Sequence, residues 1–173
     1  LVAAFDQQVT PIFDGSADRF LPADMAKLRT HGALGASNLQ HALEWAGAMA
    51  KKGGKKRVVL ITDGVATAGA TDAKRLTATV AGLRGAGVER VDVVAVGGIR
   101  DDVGLLKLVR GSLARDGVVV QATEPPSAIA RRLDASTRSG MPIKIEGASW
   151  AWPTQLDGVQ AGDERPIDAE GKP

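Results

Sequence analysis

Two runs, Val58–Thr62 and Val91–Val96, constrain the fold more than anything else in the chain. Both are mostly β-branched or aliphatic at successive positions, not at every second one. A strand with one wet face alternates apolar and polar side chains. A run without alternation predicts a strand buried on both faces, and such strands belong to parallel sheets covered by helices. Helical patterns lie on either side of both runs. Ser37–Lys51 carries Leu39, Ala42, Leu43, Ala46, Met49 and Ala50 on one face, with Ser37 as the N-cap and "KKGG" as the stop. Asp72 caps a helix that turns Ala73, Leu76, Val80 and Leu83 inward. Asp101 or Asp102 starts another, through Leu105, Leu106 and Val109. Gly117–Gln121 reads as a strand, and "EPPSAIARRLDAS" as a helix with Ile129 and Leu133 inward. Near the start, Leu1–Phe5 is a short apolar run closed by Asp6. Leu21–Thr30 is a short amphipathic helix preceded by turn-like "DGSAD". The alternation predicts an α/β fold: a doubly wound, mostly parallel sheet flanked by helices.

Past Gly140 the helical period stops. "MPIKIEGASWAWPTQLDGVQAGDERP" alternates Ile143 with Ile145 and Trp150 with Trp152 among turn residues. Residues 139–173 are therefore expected to form a β-rich C-terminal extension to a domain spanning 1–138, with "IDAEGKP" frayed. Trp150 and Trp152 share one face of an extended segment, and packing against the domain or a partner is the expected use. The chain has 173 residues, 44% of them hydrophobic, enough for one domain with a real core. Net charge is +2, and the basic residues are scattered apart from Lys51-Lys52 and Lys55-Lys56-Arg57, with few aromatics between. That pattern does not point to nucleic acid. No run approaches the ~20 apolar residues of a membrane span. No cysteine is present, which excludes disulfides and thiolate metal sites.

In a doubly wound sheet, ligands bind outside the carboxyl ends of the strands. Asp63 stands at such an end, directly after Val58–Thr62, with Gly64 next. Ser37 stands at a helix start after glycine-rich chain. Read singly, Asp63 caps a turn and Ser37 caps a helix. Together, a hydroxyl and a carboxylate above one sheet edge are hard oxygen donors suited to Mg²⁺, Mn²⁺ or Ca²⁺.

Four segments, "LVAAFDQQV", "GALGASNLQHAL", "RVVLITDGVATAG" and "VDVVAVGGIRDDVGLLKLV", resemble in order and spacing a von Willebrand factor A domain over roughly residues 1–138. The flavour is that of proteins similar to inter-alpha-trypsin inhibitor heavy chains, in which a VIT domain precedes the A domain. The resemblance implies a metal-ion-dependent adhesion site built from three loops, with Ser37 as a direct hydroxyl ligand and Asp63 acting through water or as charge balance. A partner protein's carboxylate takes the open position. The family's first motif, Asp-x-Ser-x-Ser after the first strand, is missing. Asp14, Ser16 and Asp18 mimic its spacing, but only 18 residues separate Asp18 from Ser37, whereas a strand, helix and returning strand need ~30. The expectation is that the chain starts after the family's first strand and helix. The resemblance then places an empty central slot between Leu1–Phe5 and Val58–Thr62, to be filled by the remainder of the same polypeptide or by another chain. The metal site is expected to be incomplete without it.

His31 and His41 have no partner at metal spacing and read as surface histidines. No Ser-His-Asp or Cys-His arrangement is visible, "KKGGKKR" lacks P-loop spacing, and "GLRGAGVERVDVV" precedes its strand where a dinucleotide fingerprint would follow one. The expected function is an interaction or adhesion module and not an enzyme. The alternative is a metal-independent scaffold domain of a larger protein. The family's habits and the tryptophan-bearing tail lean towards an extracytoplasmic or cell-surface location.

Overall fold

The computed structural model describes residues 1–32 and 35–171. The chain is a mixed α/β protein built on a three-stranded parallel sheet of β3 (Arg57–Thr62), β4 (Arg90–Ala95) and β5 (Val119–Gln121), in the order β3-β4-β5. Strands and helices alternate through this region. Helices α2 (Leu39–Gly53), α3 (Ala73–Gly82) and α4 (Asp102–Val109) pack on one face, and α5 (Pro126–Asp134) packs on the other. The first face holds the main core, in which Leu39, Leu43, Val80, Val93 and Leu105 are fully buried. The second is smaller: Val94, Val118 and Val120 under Ile129 and Leu133.

The helix starts follow from local chemistry. Asp72 and Asp101 accept from the Arg75 and Gly104 amides, both at 2.9 Å, as N-caps must. At α2 the cap is Asn38 and not Ser37: the Asn38 side chain accepts from the His41 amide at 3.0 Å. α4 starts at Asp102 as expected; in it Leu105, Leu108 and Val109 are buried while Leu106 faces outward.

Among the described strands, β4 alone is buried at every position. β3 alternates: Leu60 and Thr62 are buried, but Val59 is 43% and Ile61 64% exposed. The expectation of a β3 covered on both faces is wrong, because α5 reaches β4 and β5 and no helix among the described residues lies over Val59 and Ile61. β3 is an edge strand, paired only with β4 among the described residues. Lys56 O and Thr62 O accept from β4-side amides, which sets the parity. The amides and carbonyls of Arg57, Val59 and Ile61 therefore point to the open side.

Leu1–Phe5 does form a strand, β1 (Val2–Phe5), but it turns at once into β2 (Val9–Phe13) as an antiparallel hairpin. β2 was not anticipated; as a member of a two-stranded sheet, its Pro11 sits at an edge where it is tolerated. Phe5 packs against the main core. α1 (Pro22–His31) follows and has no buried residue, so the amphipathic reading of it does not hold.

The C-terminal extension is β-rich. β6 (Met141–Pro142) pairs with β8 (Gln155–Leu156), and β7 (Ala148–Trp152) with β9 (Asp168–Gly171), both antiparallel. The stretch expected to fray is thus a strand over 168–171; its last two residues, 172 and 173, lie outside the described residues. The extension is tied to the domain. Arg138 and Val159 exchange backbone hydrogen bonds of 2.8 and 3.0 Å, and the Gln160 side chain donates to Arg132 O (2.7 Å) and Ala135 O (3.0 Å). Trp150 and Trp152, expected to pack, are 53% and 61% exposed.

Candidate functional site

β3 delivers Thr62-Asp63-Gly64 to the carboxyl edge of the sheet. Two successive side chains then fold the loop back on itself. Thr62 Oγ1 accepts from the Gly64 amide (3.1 Å), and Asp63 Oδ1 accepts from the Val65 amide (2.9 Å). Both are turns that Thr and Asp make readily. Gly64 has φ +81°, and a Cβ there would meet Leu105 side-chain carbons at 2.7 Å. The glycine is needed for the left-handed backbone and for the close approach of α4. The Asp63 carbonyl also accepts from the Asp101 amide at 3.1 Å, joining this loop to the start of α4.

Ser37 reaches the same loop through its backbone. Its amide donates to Thr67 Oγ1 at 2.7 Å, and its carbonyl accepts from the Thr67 and Ala68 amides at 3.0 and 3.2 Å. Gln40 Oε1 accepts from the Ala70 amide at 3.0 Å, and Gly69 (φ +67°) lies so close to Asn38 that a Cβ would stand 2.3 Å from its Oδ1. The α2 start and the loop after β3 are stitched together from Ser37 to Gln40. Residues 33 and 34 of "GALGASNLQHAL" lie outside the described residues.

Asp6, at the end of β1, joins this edge. Its carbonyl accepts from the Asn38 amide at 2.8 Å. Its carboxylate accepts from the Gln8 amide at 2.8 Å and stands 3.2 Å from His31 Nε2. The Gln8 hydrogen bond holds the Asp6 carboxyl below its usual range; burial opposes this, and His31 adds to the lowering. His31 is thus no free surface histidine, and sequence reasoning passed over Asp6. The available signal was its position: like Asp63, it ends an apolar run.

Ser37 and Asp63 are both half-buried. With Asn38 as the cap, the Ser37 hydroxyl has no hydrogen-bond partner among the described residues, and neither has Asp63 Oδ2. Two hard oxygens are therefore free, and their chemistry suits Mg²⁺ or Ca²⁺. Such ions take about six or more oxygen ligands, and no group of three or more His, Cys, Asp or Glu able to hold a metal occurs among the described residues. The donor set fits a hard cation in kind but not in number.

No protein-family model matches the chain, and neither a curated protein nor a solved structure does. No helix among the described residues is long and apolar enough to cross a membrane.

Proposed function

We propose that this chain is a protein-interaction module of the von Willebrand factor A type, whose partner docks on the loop edge formed by Asp63, Ser37 and Asp6. The observation that carries this reading is the stitching of the α2 start to the loop after β3. It builds a shared edge from separate segments and leaves the Ser37 hydroxyl and one Asp63 oxygen without partners among the described residues. A divalent ion, Mg²⁺, Mn²⁺ or Ca²⁺, would take those two oxygens, with further ligands from water, from the partner's carboxylate and from a strand outside the described residues. That strand comes from the remainder of the same polypeptide or from another chain, and pairs with the open side of β3. The module performs no chemistry of its own.

Isothermal titration with Mg²⁺ and Mn²⁺, on this chain and on one extended at its N-terminus, tests the reading. Binding by the extended protein that Ser37→Ala and Asp63→Asn abolish is the expected result. An extended protein that binds neither ion leaves the second reading, a scaffold domain that assembles without metal. The shortage of carboxylates at this edge is what favours that alternative.

A further inference from the structure

The outward turn of Leu106 has a counterpart elsewhere on the molecule. Val103, Leu106, Lys107 and Arg110 fall at i, i+3, i+4 and i+7, one continuous face of α4 and the residue after it. Val103 is 64% and Leu106 38% exposed. All four line one wall of an open cleft of ≈ 860 Å³ between α4 and the C-terminal extension. Lys107 and Arg110 have no carboxylate within ion-pair distance among the described residues, and the buried Arg110 Nε meets no hydrogen-bond partner there. Two carboxylates also line the cleft; both are held by hydrogen bonds, and Asp157 also feels the Arg110 charge, which leaves Lys107 as the less compensated cation. Asp116 accepts from the Gly111 amide and the Ser139 hydroxyl, and Asp157 from the Gly140 amide and the Gln155 side chain. The wall is apolar at one end and cationic at the other.

The antiparallel β7–β9 pair, a hairpin in shape although β8 intervenes in the sequence, has the opposite character. Trp150 stands across from Glu170, and Trp152 across from Asp168. Directly paired residues share a face, so this face carries two indoles and two carboxylates. The indoles are more than half exposed, and neither carboxylate has an ion-pair partner among the described residues. Apolar-plus-cationic and aromatic-plus-anionic surfaces thus occur on one chain. The hairpin connects to Gln155 at the rim of the cleft, yet its tryptophans stay in the open and do not enter their own cleft.

We infer that the α4 cleft binds the Trp150/Trp152–Asp168/Glu170 face of a second copy of this chain, each copy giving its hairpin to the other. Because cleft and hairpin lie on the same molecule, a two-fold pair uses both twice and closes. Each half-exposed indole gives up on the order of 100 Å². Four of them, with the cleft area they cover, come to roughly 800 Å², short of the ~1,000 Å² of a stable specific interface and in the range of weak, transient contacts. The dimer is therefore weak and salt-sensitive.

Sedimentation velocity from micromolar to near-millimolar protein, at low and high salt, reads this out. The wild-type chain is expected to dimerise at the upper concentrations. Lys107→Glu/Arg110→Glu should weaken it by at least about tenfold, as should Asp168→Lys/Glu170→Lys, since unlike contacts become like ones at two sites. Circular dichroism should leave both variants folded, because Lys107, Asp168 and Glu170 are exposed and Arg110, though half-buried, lies outside the apolar core clusters. Mixing the two variants restores a heterodimer, in which each reversed cleft meets a reversed hairpin and each native cleft a native one. Trp150→Ala/Trp152→Ala abolishes association. A wild-type chain that stays monomeric overturns the proposal, and so does a dimer indifferent to the reversals or one that mixing fails to restore. None of these outcomes depends on a metal at the Ser37–Asp63 edge.

Discussion

At Gly64, a single residue satisfies two demands at once. A side chain there would bear the cost of a left-handed backbone, ~1–2 kcal/mol, and would overpack Leu105, another ~1–3 kcal/mol. Gly64→Ala is therefore expected to lose about 2–5 kcal/mol in urea unfolding, the sum of those two ranges. Asp63 beside it separates turn from charge. Asp63→Asn keeps an acceptor for the Val65 amide, so its stability should stay within ~0.5 kcal/mol of wild type, as for a substitution that breaks no buried feature. Asp63→Ala loses that bond and ~0.5–1.5 kcal/mol. An ion or partner that needs the charge is lost in both. Asp6 gives the pH dependence. Its folded-state pKa is lowered, so its contribution is present above the ordinary carboxylate pKa and is lost as pH falls through the lowered value. Asp6→Asn should flatten the acid limb of a stability–pH curve while changing little at higher pH. Thr62-Asp63-Gly64 was legible because each residue has a local reason to be there. The α2 cap was not: Ser37 and Asn38 are both good caps. The choice is made by distant partners, Asp6 O taking the Asn38 amide and Thr67 holding Ser37.

Among the elements, β3 and β4 show what a run of apolar letters does and does not reveal. β4 was legible as a buried strand, but the carboxylate inside it, Asp92, went unread. Asp92 is fully buried and accepts from Arg57 Nε (2.7 Å), Arg90 Nε (2.8 Å) and the Val118 amide (2.9 Å). The same arginines reach Leu133 O and Ala135 O at the end of α5. Asp92 thereby fastens α5 to the sheet through two cations. Asp92→Ala strands Arg90, which is also buried, and should cost ~3–5 kcal/mol, a loss that denaturant titration would register at once. The signal lay in the sequence, as a carboxylate within "RVDVVAV" with Arg90 two residues before it. β3 looked like β4 because Val59 and Ile61 are as apolar as their neighbours; composition does not tell whether a helix arrives to cover them. Hydrogen exchange distinguishes the two sides of this strand. Amides of Val58, Leu60 and Thr62, bonded to β4, should exchange slowly. Those of Arg57, Val59 and Ile61 should exchange fast, and slow down if a strand from elsewhere docks on that edge.

Over the whole molecule, the change of pattern at Gly140 was visible, but its consequence was not. A β-rich extension could have stood apart as the start of a second domain. Instead, Gln160 is buried and bonded to the end of α5, Val159 is buried beside its Arg138 partner, and Ser139 donates to Asp116 in the turn before β5. No periodicity announces this, because the contacts run through side-chain amides and hydroxyls in irregular chain. The integration makes a prediction. Gln160→Ala removes two hydrogen bonds to carbonyls at the end of α5 and should cost ~1–3 kcal/mol, the range for carbonyls left without a buried partner. Removing residues 139–171 loses those bonds, the Arg138–Val159 pair and the apolar cover of Val159 together. A domain stable by only ~5–15 kcal/mol should then melt well below the full chain, with amide exchange in α5 speeding up more than in α2 or α3. If the shortened chain melted at the same temperature as the full one, the extension would be a separate unit after all. The α4 cleft would then have lost one of its two walls without consequence for the domain beside it.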